Sequence, residues 1–256
     1  MDVRLIKAMV IGDGCLNLHK RYRNVRFLCT HSIAQKEYLL WKRDLLAAGG
    51  LSCGYCEFEN VTNPHTGKIG RMCRIESAVS PVLTVLKERM YPKSSGFADG
   101  ILDDLDAMHL AIIFMDDGSA ARQRKVSWLK DGVRSRVPCI PYIAQFRFSL
   151  QSHGQTGCEQ FSSWLRRRFG IHSKVWAQGD GYAVVVYRNE DKELLRDIMS
   201  PFIHPSLDYK IKGSVHAVAY HRERLSEGAP ERVVRQSDLA GNEPQEMGPK
   251  SPVRQS

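Results

Sequence analysis

No stretch of this sequence approaches the roughly 20 consecutive apolar residues that a helical membrane span requires. Its 43% of hydrophobic residues, in a chain of 256, are therefore available for a core of one large domain or two modest ones. A cysteine framework is missing as well. The seven cysteines are odd in number and scattered, which argues against structural disulfides and predicts free thiols in a reducing, intracellular compartment. Cys53-Gly-Tyr-Cys56 has the spacing of half a zinc site, with Cys73 as a third candidate, but no second CxxC or Cys/His pair stands at zinc spacing. Nothing at the N-terminus resembles a secretory signal. Acidic residues are in the minority, 28 Asp and Glu against 37 Lys and Arg, for a net charge of +9. That surplus predicts a polyanionic partner. It belongs to the first 222 residues, because residues 223–256 nearly balance acids with bases. They are rich in Glu, Arg, Pro, Gly, Ser and Gln without periodicity, and are expected to form a disordered tail.

What the sequence does contain is a repeated oddity. Two apolar runs, "IKAMVIGDG" at 6–14 and "LAIIFMDDG" at 110–118, have the character of buried helices yet close on Asp-Gly. Asp13 and Asp117 are 117 − 13 = 104 residues apart, and the intervening sequence aligns around them. Tyr38, Trp41 and Leu46 match Phe161, Trp164 and Phe169 with the same internal spacings, in helices that end at Gly49 and Gly170. "SPVLTVLKERMYPK" answers "EDKELLRDIMSPFIHPSLDYK", each a helical pattern followed by proline and a lysine, Lys93 or Lys210. Strand-like segments lie between these elements, so each half has the order helix, two strands, helix, two strands, helix. The halves are placed at 1–100 and 101–222, with residues 119–141 lengthening the first hairpin of the second half.

A helix that is apolar nearly all round must be buried, and the economical partner is its own repeat. Ala8 and Gly12 sit one turn apart and allow close approach, whereas Ile112 is larger than its counterpart and widens the crossing. Gly14 and Gly118 suit the left-handed conformation that stops a helix. Acids at these ends are electrostatically unfavourable, because a helix C-terminus already carries about half a negative charge. Asp13, Asp116 and Asp117 call for a compensating ion, and a hard divalent cation prefers carboxylates and carbonyls.

Together these residues resemble the LAGLIDADG homing endonucleases in their two-motif, single-chain form. The similarity covers about residues 1–220, including "HPSLDYKI" at 204–211. It implies an α+β fold of two pseudo-symmetric αββαββα halves joined at a packed two-helix interface, each with a saddle-shaped antiparallel β-sheet. It also implies double-strand cleavage of a long DNA site with Mg²⁺, a site that Mn²⁺ or Ca²⁺ can also occupy, by a monomer encoded within an intron. Asp13 and Asp117 fall on the metal-binding catalytic acids, and Gly12 and Asp116 on the preceding position, whose carbonyl is a further ligand. Lys93 and Lys210 match peripheral active-site lysines. Gln151 matches a water-ordering glutamine, with His31 as its counterpart, which makes the two centres chemically unequal.

A two-stranded ribbon fits the DNA major groove. Lys20, Arg21, Arg23 and Arg26 lie in or beside one candidate hairpin, and Arg122, Arg124, Lys125, Arg134, Arg136 and Arg147 in or beside the other. Arg71, Arg74, Lys174 and Arg188 are further strand candidates. Phosphate contacts should outnumber base contacts among them. Two alternatives use the same scaffold: an intron maturase, for which intron RNA is the partner, and a catalytically silent DNA-binding regulator. Retention of both acids and the absence of a helical tail disfavour the regulator. An intein is not expected, since no splice-junction cysteine or serine begins the chain and no His-Asn ends it.

Overall fold

The computed structural model describes residues 1–62, 67, 69–123 and 142–215. Apart from Gln123 and Tyr142, all of these lie in one compact unit, Met1–Arg122 with Ile143–His216. Its first seven elements are α1 (Val3–Ile11), β1 (Gly14–Asn17), β2 (Arg26–Ser32), α2 (Lys36–Ala48), β3 (Cys53–Thr62), β4 (Ile69–Ser77) and α3 (Pro81–Met90). The next seven repeat them: α4 (Ala107–Asp117), β5 (Gly118–Gln123), β6 (Tyr142–Phe148), α5 (Gly154–Phe169), β7 (Lys174–Gln178), β8 (Gly181–Val186) and α6 (Asn189–Met199). Each set of four strands forms its own sheet, in the order β1-β2-β4-β3 and β5-β6-β8-β7. The expected α+β architecture of two αββαββα repeats is thus present.

The motif helices start alike. Asp2 caps α1, its side chain accepting from the Arg4 N–H at 3.0 Å, and Asp106 caps α4 within a capping box closed by His109. These caps are again 106 − 2 = 104 residues apart. From Leu5 to Ile11 and from His109 to Met115 every residue is buried, and the two helices pack on one another. Ile112 is accommodated with no exposure.

In β2 the residues alternate, with Phe27, Cys29 and His31 turned to the core and Arg26, Leu28 and Thr30 to the outer face. His31 therefore occupies a core position. Cys53 and Cys56 are three apart on β3, hence on opposite faces of the sheet, opposite Ser77 and Arg74 respectively. The half zinc site suggested by their spacing does not form.

The glycines after the motif helices have a different reason from the one their sequence suggests. Neither Gly14 nor Gly118 has a positive φ. A side chain at Gly14 would meet the Met9 carbonyl oxygen at 2.7 Å, and one at Gly118 would overlap the Phe114 ring and carbonyl. Each chain turns directly from helix into strand against its own last turn, and only a missing Cβ leaves room. Gly170 does adopt the left-handed form, with φ 72°. After α2 that role falls to Gly50 (φ 83°) rather than Gly49.

Candidate active site

The C-terminal tips of α1 and α4 bring Asp13, Asp116 and Asp117 together. The Asp13 N–H donates to Asp116 Oδ2 at 3.3 Å, and a side chain at Gly12 would meet that same oxygen at 2.5 Å. Burial, reinforced by the Asp13 and Asp116 charges, pushes the Asp117 carboxyl up to about 7. The Asp13 carboxyl is also raised, first by burial and then by Asp116.

Both expected lysines converge here. Lys93 follows α3 and donates its ammonium to the Val10 carbonyl. Lys210 ends a short 3-10 segment (Pro205–Lys210) and donates to the carbonyls of Met115 at 2.6 Å and Asp116 at 3.4 Å. Each lysine thus serves the unpaired carbonyls of one motif helix, the electrostatic complement that the helix end requires. Burial lowers the pKa of both, against the raising influence of the three aspartates.

Side chains that the sequence reading did not single out complete the first half of the centre. Lys42, on the buried stripe of α2, has no exposure and reaches Asp116 Oδ1 at 2.5 Å, with both side chains fully enclosed. Its ammonium also lies 3.2 Å from His31 Nε2 and 3.6 Å from Cys29 Sγ. The Tyr38 hydroxyl donates to the same Asp116 oxygen at 2.8 Å. Burial, then the Lys42 charge, lowers His31 to about 4, so its imidazole is neutral at physiological pH. Its Nδ1 faces Asp13 Oδ2 at 3.7 Å. A signal for Lys42 was present in the repeat. Aligned through Tyr38/Phe161, its counterpart is the buried Leu165, while the counterpart of Asp116 is Gly12. Two matched positions change charge together.

Gln151 is not the structural counterpart of His31. Gly14 pairs with Cys29, and the Ser149 N–H donates to the Asp117 carbonyl, so by ladder position His31 corresponds to the buried Leu150. Gln151, itself exposed, begins a 3-10 turn (Gln151–His153) beyond β6 and packs beside Gly181. The buried residue that touches a motif tip there is His153, with Nε2 3.3 Å from the Ile11 carbonyl.

One ligand atom each of Asp13, His31 and Asp116 lie within 4.8 Å of one another. Asp116 is nevertheless committed to Lys42 and Tyr38, and an ammonium beside His31 Nε2 repels a cation. The Asp13 and Asp117 carboxylates bear on one another electrostatically, and carboxylates with backbone carbonyls are the donors that a hard divalent ion prefers.

The basic candidates separate by placement. Arg26 is ion-paired with Glu76 on the outer sheet face, and Arg74 bonds Thr30 Oγ1 at 3.1 Å while lying over the Phe58 ring. Arg71 pairs with Glu57 and Glu59. Lys20, Arg21 and Arg23 are exposed in the β1–β2 connection. On the second sheet Arg147 and Lys174 both stand opposite Val185, with Arg147 beside Trp176. Arg122 lies in β5 as expected, and one residue departs from expectation. Arg188 is not in a strand but is the N-cap of α6. The Arg122 guanidinium is occupied by the carbonyls of Tyr209 and Lys212. Arg124, Lys125, Arg134, Arg136 and the tail 223–256 lie outside the described residues.

An acid-tipped helix pair joining two repeats, each with its antiparallel sheet, defines a two-motif α+β protein with one shared polar centre. The family model of the LAGLIDADG DNA endonuclease family matches residues 5–194, and the chain belongs to that family. It is 25% identical over 214 residues to Protein RecA of Mycolicibacterium chitae and 26% identical over 215 residues to that of Mycobacterium shimoidei. Each match covers 81% of this chain and 45% of the relative, so the chain spans less than half the length of these proteins. Among solved structures, the homing endonuclease I-WcaI bound to its DNA recognition sequence shares the fold, with a TM-score of 0.62 at 17% identity, over 83% of this chain and 86% of that one. Among the described residues no helix is long and apolar enough to cross a membrane.

Proposed function

We propose that the protein is a site-specific endonuclease that makes a double-strand break in DNA by metal-dependent phosphodiester hydrolysis. The observation that carries this reading is the meeting of two repeat-equivalent acids, Asp13 and Asp117, with Lys93 and Lys210 among the charges acting on both. Asp13 and Asp117 would hold a divalent cation, Mg²⁺ in the cell, with the carbonyls of Gly12 and Asp116 as further ligands. Bound there, the cation supplies an acidified water and charge neutralisation at phosphate. The two lysines, tethered to the helix ends, hold positive charge beside the reacting phosphate. Basic side chains, the exposed Lys20, Arg21, Arg23 and Lys174 and the half-buried Arg74 and Arg147 among them, secure the duplex through its phosphates, and a minority read base edges. Both acids come from one chain, which supports action as a monomer.

The test is strand-resolved cleavage of a plasmid library of candidate sites with and without Mg²⁺. Asp117→Asn should slow double-strand cutting by more than about 100-fold, beyond what loss of a supporting residue costs, while DNA binding persists. Wild-type cutting by that variant, or cutting without divalent metal, overturns the assignment.

A further inference from the structure

The polar cluster behind Asp116 has no role in the reaction just described, and its geometry is directional. An ammonium has three donors and no acceptor. The Lys42 ammonium meets three acceptors, Asp116 Oδ1 at 2.5 Å, His31 Nε2 at 3.2 Å and Cys29 Sγ at 3.6 Å. Since Lys42 can only donate, His31 Nε2 must accept, and the single ring proton of the neutral imidazole sits on Nδ1. That nitrogen faces Asp13 Oδ2 at 3.7 Å. The same ammonium and the Tyr38 hydroxyl fix one Asp116 oxygen, leaving Oδ2 to receive the Asp13 backbone N–H. Lys42 therefore reaches Asp13 by one hydrogen-bonded route, through the Asp116 carboxylate to the Asp13 N–H, and by proximity through the His31 ring, which also bonds the Gln35 side chain. The second half offers Asp117 no such support, because Leu165, Phe161, Leu150 and Gly12 occupy the corresponding positions.

We propose that Lys42 is a positioning residue that serves one of the two catalytic acids only: by fixing the His31 Nδ1–H tautomer and the Asp116 carboxylate, it orients Asp13 and thereby governs cleavage of one DNA strand. The strand-selective part rests on the endonuclease reading above; the tautomer does not. Lys42 is fully enclosed and acts through these two groups.

The experiment has two arms. In metal-free, DNA-free protein, long-range ¹⁵N correlation spectra of labelled histidine should report His31 protonated on Nδ1, against the usual preference of free imidazole. An Nε2–H tautomer overturns the proposal whether or not the protein cuts DNA. In the second arm Lys42→Met is combined with Asp116→Asn, so that no uncompensated buried charge remains and thermal melting can verify the fold. That variant should lose the Nδ1–H preference and cut one strand about 10- to 100-fold more slowly. The other strand should be much less affected, so nicked circles accumulate from supercoiled plasmid. Equal slowing of both strands, or none, overturns the positioning role. Failure of the wild-type protein to cut any site would remove the endonuclease reading while leaving the tautomer result standing.

Discussion

The two motif tips are supported by opposite chemistry. Around Asp116 the first half supplies a lysine, a tyrosine and a histidine, all buried. At the positions equivalent to these the second half carries the buried Leu165, Phe161 and Leu150, and its His153 meets the Ile11 carbonyl. A repeat that preserves its backbone can thus carry a buried ion pair on one side and an apolar plug on the other. An enclosed carboxylate demands a partner and a glycine demands none. The pair does not by itself make the protein more stable than a hydrophobic equivalent would; it commits Asp116 to one orientation.

Breaking this asymmetry should have its largest effect on stability. Lys42→Met leaves the Asp116 carboxylate buried without its counter-ion and should cost about 3–5 kcal/mol in chemical denaturation. Adding Asp116→Asn should recover most of that loss. The reciprocal change, Leu165→Lys, puts an ammonium where Gly12 offers no carboxylate, and should destabilise by a similar amount. If Lys42→Met unfolds at the wild-type denaturant concentration, the ion pair has been misjudged.

A smaller effect distinguishes the shared centre from the flanking network. The Asp117 carboxyl titrates at about 7 in the folded chain against 3.8 when unperturbed, so folding takes up a proton. Its contribution is complete below the unperturbed value and is lost as pH rises through that of the folded state. Asp13 is shifted in the same direction. Metal-free protein should therefore lose part of its stability between roughly pH 4 and 7. Mg²⁺ or Ca²⁺ should raise the melting temperature more at pH 8 than at pH 5, because the cation replaces those protons. A metal response independent of pH would remove these carboxyls as ligands.

The smallest effects compare arginines. Arg147→Ala should weaken DNA binding and reduce the salt slope of the affinity by about one. Arg122→Ala, whose guanidinium already serves the Tyr209 and Lys212 carbonyls, should leave that slope nearly unchanged. Equal slopes for the two variants would erase the distinction between them.

Much of the architecture could be read before any coordinates. Alternation in "RFLCTHS" and the unbroken burial of "LAIIFM" are periodic signals, and the repeat supplied a second copy of each. The acids were legible because helix ends otherwise avoid them. Lys42 was not, since a lysine in a helix is ordinarily solvated; only comparison with Leu165 exposes it as a stripe residue. The likeness between His31 and Gln151 was misleading, because sequence order near a strand end does not specify ladder position, and one residue of offset changes a buried ring into an exposed amide.

By itself the sequence determined that two apolar helices must bury each other and that their acidic tips would then share one place, because hydrophobic periodicity and charge are local properties of the chain. Only the tertiary structure decided which acid is available. Asp116 and Asp117 are adjacent in sequence, yet one carboxylate is closed off by Lys42 and Tyr38 from a helix some 70 residues earlier. The other is raised by burial and by the Asp13 and Asp116 charges, with Lys93 and Lys210 opposing. Pairing of buried charges depends on distances that no local pattern encodes.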